Sequence, residues 1–194
     1  MSGAKLIWLS GLSLAIGGFL ATTGWLSFAV LDPLHNGYLK WWWWPNNLLV
    51  ISGGLFMVLG LPGFYVTQAR QSGIIGLVGF LALFAGLILS YITVQTIETI
   101  TMPNVPADIR RIVSVAVPLL AVGIMLTVIA IWQANVFPKW LAGAFLLSLL
   151  LGAVKEVYQF PVLWEHNLFS ILFTITIGLM GLLTMFIGGV LCYK

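Results

Sequence analysis

Charge is what this chain has least of. Eight basic and five acidic side chains are spread over 194 residues, 7% in all, where a soluble domain carries about 25%. That scarcity excludes a water-soluble globular fold. No run of lysine and arginine exists to follow a phosphate backbone, so nucleic acid is excluded as a partner. Cysteine is nearly absent too. Cys192 alone can form neither an internal disulfide nor a CxxC site, and it is read as an inert thiol ahead of a palmitoylated one. Catalytic signatures are missing as well: there is no GxSxG, P-loop, dinucleotide fingerprint or HExxH. Gly178-Leu-Met-Gly181 lies inside an apolar stretch with no phosphate-binding context. His35 and His166 are the only histidines, both in expected loops, and do not offer the facing pair that a bis-histidine haem needs. A metal held by these two and nearby glutamates would require the loops to fold together. No catalytic residue, metal or cofactor is expected.

What is there is apolar surface. Hydrophobic residues make up 61% of the chain and the mean hydropathy is +1.10. A spanning helix needs roughly 20 mostly apolar residues, and six stretches qualify: Leu6–Leu31, Asn46–Thr67, Ile74–Ile97, Ile112–Gln133, Lys139–Tyr158 and Asn167–Leu191. Their apolarity is continuous, whereas barrel strands would alternate, so the expected fold is all-α: a polytopic bundle of six spanning helices forming one integral-membrane domain over 1–194. Lys5 ahead of the first stretch resembles a signal-peptide start, but the run is about twice the usual h-region length and is read as a retained span. Asp32-Pro33, Asn36-Gly37, Pro45, Gln71-Ser72-Gly73, Pro103, Pro106, Pro138 and Pro161 punctuate the connections. Pro62 and Pro118 fall within spans and are expected to bend them.

Six spans place both termini on one side of a cell membrane, with Lys5, Arg70, Lys139 and Lys194. Lys40, Arg110, Arg111 and Lys155 fall on the other, so the positive-inside count ties, and cytoplasmic termini are the preferred expectation. Trp41, Trp42, Trp43 and Trp44 form an unbroken run before the second span and are read as interfacial anchors, ahead of a carbohydrate or quinone platform.

Small residues recur at helical spacing. Gly17 with Ala21, Ala82 with Gly86, and Ser148 with Gly152 are four apart; Gly73, Gly76 and Gly79 form a ridge at spacing three, as do Gly178 and Gly181. Such residues let helix backbones approach where lipid supplies no hydrophobic drive between them. Ile75–Leu89 and Ile177–Leu191 agree at eight of fifteen positions, pairing Gly76 with Gly178, Gly79 with Gly181 and Gly86 with Gly188. Leu14-Ala15-Ile16-Gly17 and Leu120-Ala121-Val122-Gly123 align at a similar offset. A 3+3 duplication would be inverted, as in many secondary transporters. The second and fifth spans add nothing, and pairing Gln68-Ala69 with Gln133-Ala134 would imply a parallel repeat instead.

Most unusual polar residues gather on the non-terminal side: His35, Glu98, Arg110, Lys155, Glu156, Glu165 and His166 form the candidate ligand cluster. Glu98 follows a polar stripe of Tyr91, Thr93, Gln95 and Thr96, roughly 33 Å past Gly76 along a helix, near the surface. Lys155 and Glu156 come after only about fifteen apolar residues and are the best candidates for a submerged pair. Neighbours on a helix do not face each other. Glu98 is therefore a candidate partner for Lys155, and Arg110 or Arg111 for Glu156, with snorkelling to water as the alternative.

The segment LGLPGFYVTQARQSGIIGLVGFLALFAGLIL from Leu59, the Glu98 to Pro103 region and ANVFPKWLAG from Ala134 resemble a loose group of uncharacterised multi-spanning bacterial and archaeal membrane proteins. The resemblance covers Leu48 to Leu151, rather more than half the chain. It implies an inner-membrane location with Arg70 and Lys139 inside, and it brings no activity, cofactor or catalytic residue. Three functions are expected, in order. A non-enzymatic accessory subunit or lipid-facing binding protein leads, with membrane lipids, other membrane subunits or a second copy as partners. A small transporter or channel using Glu98, Lys155 and Glu156 is second, and an intramembrane enzyme third.

Overall fold

The computed structural model describes residues 3–34, 40–101, 108–157 and 166–193, with side chains described outside 28–43, 110, 151–175 and 177. Every element among the described residues is helical. Helix α1 (Gly3–Leu34) is followed by α2 (Lys40–Leu87), which continues through a π-helix (Ile88–Val94) into α3 (Gln95–Thr101). Then come α4 (Ile109–Ala134), α5 (Lys139–Val157) and α6 (His166–Cys192).

Helix α2 is two arms rather than one rod. Gly73 has φ 53° and ψ −138°, a backbone region that side chains with a Cβ avoid and glycine enters freely. The chain reverses there. Gly54 lies against Tyr91 and the rings of Tyr65 and Phe80 stack at 4.9 Å, so residues 40–72 and 74–101 run antiparallel about the turn. Gly73 was expected on a packing ridge; its neighbourhood is open, with nothing within 4 Å of a Cβ, and its backbone is what the fold uses. Pro45 was expected in the first connection but sits inside α2. The helix begins only five residues earlier, so the proline removes a single early hydrogen bond.

The other turns are equally local in origin. Asn135 ends α4 in the left-handed conformation (φ 55°, ψ 19°), its N–H donating to the Ile131 carbonyl at 3.3 Å, as asparagine tolerates this cap. Pro138 then opens α5, its carbonyl accepting from the Leu141 N–H at 3.0 Å.

Close backbone contact joins the arms into a ring. A Cβ on Gly17 would stand 2.6 Å from the Met57 nitrogen, and one on Gly24 would stand 2.7 Å from a Val50 methyl, so α1 packs antiparallel on the first arm of α2. The second arm packs on α4 in the same way: a Cβ on Gly79 would lie 2.8 Å from Leu126 Cβ, and one on Gly86 would lie 2.8 Å from the Leu120 nitrogen. Helix α5 packs on both α4 and α6, and Trp140 meets Phe186 edge-on at 4.8 Å. Helix α6 returns to α1, where a Cβ on Gly11 would be 2.7 Å from the Gly188 carbonyl and one on Gly18 would be 2.8 Å from that of Gly181. Each arm is antiparallel to both neighbours.

The core is apolar, and so, unlike that of a soluble domain, is much of the outer surface. Phe19, Leu59, Leu81, Val115 and Leu182 point outward, each more than half exposed, while Asn47, Gln68, Gln95 and Ser148 are buried. Among the described residues three helices are long and apolar enough to cross a membrane: Gly3–Ser27, Trp44–Thr101 and Arg111–Ala134. Lys139–Leu150 and Gly178–Cys192 are apolar but shorter. These features are compatible with a membrane protein.

Candidate functional site

At the centre of the ring lies a cavity of about 80 Å³ to which all six arms contribute. Thr22 and Trp25 come from α1, Phe64 from the first arm of α2, Tyr91 from the π-helix, Thr127 from α4, Phe145 from α5 and Thr184 from α6. A water needs at least about 10–15 Å³, so the space is several waters in size. Its described lining carries no charged side chain.

Local sequence explains how each polar group arrives there. Gly54 leaves room for Tyr91, since a Cβ on that glycine would stand 2.6 Å from Tyr91 Cβ. The π-helical stretch that presents Tyr91 is one wide turn within an otherwise α-helical arm, a feature that recurs at functional sites. Gly181 similarly admits Thr22, whose hydroxyl contacts it directly. The Thr22 Oγ1 is buried without a hydrogen-bond partner. Thr184 Oγ1 donates to the Met180 carbonyl at 2.7 Å, which leaves its lone pairs free to accept. One end of the interior is stopped by aromatic rings: Phe137, 2% exposed, reaches in from the turn after α4 and lies 5.3 Å from Phe64.

Of the charged residues expected to form a site, the one whose side chain is described, Glu98, lies elsewhere. Glu98 is half-buried and accepts a hydrogen bond from Gln95 Nε2 at 3.3 Å; it does not line the cavity. Thr99 Oγ1 donates to the Gln95 carbonyl at 2.6 Å. Arg111, a candidate partner for Glu156, instead meets Asp108 at 3.6 Å with both side chains over 80% exposed. Arg110, Lys155, Glu156 and His166 belong to helices, but their side chains, like the whole of His35 and Glu165, lie outside the described residues. So do the side chains of Trp41, Trp42 and Trp43; Trp44 is 53% exposed. No group of three metal-ligating side chains occurs among the described residues.

Of the expected packing glycines, Gly79 and Gly86 face α4, and Gly181 and Gly188 face α1. Gly76 abuts Ser72 of its own hairpin, and Gly178 meets nothing within 4 Å among the described residues.

Sequence reasoning missed Thr22, Trp25, Thr127 and Asn47. Asn47 is fully buried with neither amide atom hydrogen-bonded. Gly54 and Tyr91 set the register of the hairpin; two turns further out, Asn47 and Glu98 fall at one level. A polar pair opening an apolar span was the available signal for Asn47. For the threonines there was none, because a lone hydroxyl on an apolar helix ordinarily bonds its own backbone.

A space lined this way can enclose and orient a molecule. Its described walls hold no carboxylate, imidazole or thiol. Compared with protein-family models, curated proteins and solved structures, the chain matches none.

Proposed function

We propose that this is an integral membrane protein whose six arms cross the bilayer and whose core holds a small, mostly apolar, lipid-derived molecule. It acts without catalysis, as a binding protein or as the ligand-carrying subunit of a membrane assembly. The observation that carries this reading is the uncharged central cavity to which every arm contributes. Ligand sites are concave and largely apolar, with a few placed polar groups. The exposed apolar side chains around the bundle support lipid as the surrounding medium. The 19 residues of α5 make a rod of roughly 28 Å, close to the hydrocarbon thickness of about 30 Å. Lys139 Nζ stands 5.5 Å from the Trp132 ring, and Trp132 and Trp140 are both exposed, a grouping suited to the headgroup boundary. Both termini share that end of the bundle, which we assign to the cytoplasm of a bacterial or archaeal cell. Maleimide labelling of Cys192, the only cysteine, in inverted vesicles but not in intact cells would agree.

The deciding experiment is gentle extraction from the native membrane, purification, denaturation, and mass spectrometry of whatever is released. One apolar species near equimolar amount supports the reading. Absence of any enriched small molecule from protein that remains folded rejects it.

A transporter is the second reading, favoured by one specific observation. The third arm meets α4 through Gly79 and Gly86, and α6 meets α1 through Gly181 and Gly188. An inverted 3+3 duplication would relate those two seams, with the cavity between halves. A cysteine at Thr22 that reacts with polar reagents from each side in turn would favour transport over static binding. The enzyme reading has no comparable support.

A further inference from the structure

The end of the bundle that carries both termini is cationic. Cys192 Sγ lies 3.7 Å from the Trp8 carbonyl, Trp140 meets Phe186, Gly63 abuts Ser10 and Phe137 packs on Phe64. The starts of α1 and α5, the end of α6 and the turn at Gly73 therefore share that end. Lys5, Arg70 and Lys139 stand there. The two acids with described side chains, Glu98 and Asp108, are at the opposite end, and no described carboxylate pairs with Lys139.

One of these cations has a defined setting. Lys139 opens α5, and its Nζ stands 5.5 Å from the Trp132 ring on α4, which brings two outward-facing stripes to one point. Trp132, Ile129 and Met125 lead away from the turn on α4, and Leu146, Leu147 and Leu150 lead away on α5, all exposed. Between Lys139 and Leu147 on the same face lies Gly143, exposed and with nothing within 4 Å of an added Cβ. The stripe is thus notched one turn below the ammonium. From Lys139 to Leu150 is roughly 16 Å along the helix, close to the depth of one bilayer leaflet, about 15 Å. Trp140 beside Lys139 is 55% exposed and adds a second indole, an apolar body with one N–H donor. Helix α5 has no acidic side chain in its first turn, which leaves the positive end of its backbone dipole to an anion from outside the chain.

Resting on the membrane reading proposed above but not on the cavity, we propose that the α4–α5 turn is a binding site for one acidic phospholipid. Lys139 and the start of α5 hold the phosphate, Trp132 and Trp140 flank the glycerol, and an acyl chain lies over Gly143 along the two stripes. A zwitterionic lipid would carry its own ammonium to a surface that already holds Lys5 and Arg70, so the site discriminates by charge.

The test uses the full-length protein in nanodiscs of equimolar dioleoylphosphatidylglycerol and dioleoylphosphatidylcholine, with the lipids retained on release counted by native mass spectrometry. The parent should keep phosphatidylglycerol over phosphatidylcholine by about five- to tenfold, and Lys139→Gln should cut that preference by about fivefold, the effect of one cation near an anionic headgroup. Lys139→Arg should keep it. Arg70→Gln removes the same charge from the same end and should change it far less. A diazirine-bearing phosphatidylglycerol should label the peptides carrying Met125 to Leu150, and Gly143→Leu, which fills the notch, should lower that label several-fold while the protein stays folded by circular dichroism. Equal retention of the two lipids by the parent, or equal losses from Lys139→Gln and Arg70→Gln, would overturn a discrete acidic-lipid site and leave the bilayer-embedded bundle and its cavity standing. A folded protein that does not enter the nanodiscs at all would overturn the membrane reading with it.

Discussion

Two levels of the bundle, about two helical turns apart, handle polarity in opposite ways. At the outer level, Glu98 leans on Gln95, and Asp108 and Arg111 pair while largely solvated. Asp108 and Arg111 remain near water. At the central level, Thr22, Tyr91 and Thr184 contribute to the lining of the uncharged cavity, and the Thr22 hydroxyl packs on Gly181 without a hydrogen-bond partner. Glu98 and Arg111 thus have polar neighbours close in sequence, whereas the Thr22 hydroxyl has none. Charge is tolerated where solvent screens it, and the described lining of the cavity is uncharged.

The comparison would be broken most severely at the apolar end of the cavity. Phe64 is 4% exposed and packs on Phe137, so Phe64→Ala should lower unfolding free energy in detergent by about 3–5 kcal/mol. A loss no larger than that of a rim variant would mean that the aromatic plug bears little on the fold. Next come the seams around the cavity. Gly86→Ala places a methyl against the Leu120 backbone and should cost about 1–3 kcal/mol. Gly143→Ala, with nothing within 4 Å, should instead stabilise its helix by about 0.5–1 kcal/mol. Chemical denaturation of the two variants side by side separates packing from helix propensity.

Asn47 sharpens the contrast between levels, because it is a buried polar residue outside the cavity's lining. Replacing it with leucine removes two unsatisfied groups, and thermal stability should rise by about 1–3 kcal/mol. A fall of similar size would show that the amide is satisfied in the membrane. The smallest effect belongs to the rim. Asp108→Asn should leave the thermal midpoint unchanged within error, as exposed ion pairs contribute little.

Much of the helix layout was legible in the sequence. The apolar ranges anticipated the arms to within a few residues, because lipid-compatible helices must satisfy their own backbone and therefore end where polar or helix-breaking residues accumulate. Gly73 was singled out for spacing, whereas its φ is what the fold exploits. Gly79, Gly86, Gly181 and Gly188 were singled out for close packing; the first two lie against α4 and the last two against α1, partners that nothing in their spacing named. The candidate cluster was drawn from charge, the polar signal easiest to see along a chain. It led to Glu98 and away from Thr22, since a threonine at the centre of a ring and one facing lipid look the same in sequence.

Composition and periodicity by themselves decided that the elements are helices, that their outer faces are apolar, and roughly where each begins. These are consequences of local hydrogen bonding and of the medium that the side chains can tolerate. Closure of the ring, with α6 returning to α1, was decided only by tertiary structure. So were the packing of Phe137 on Phe64 and the gathering of residues from all six arms around one cavity. Each depends on contacts between residues far apart in the chain, whose geometry arises from packing one backbone against another and is encoded in no single segment.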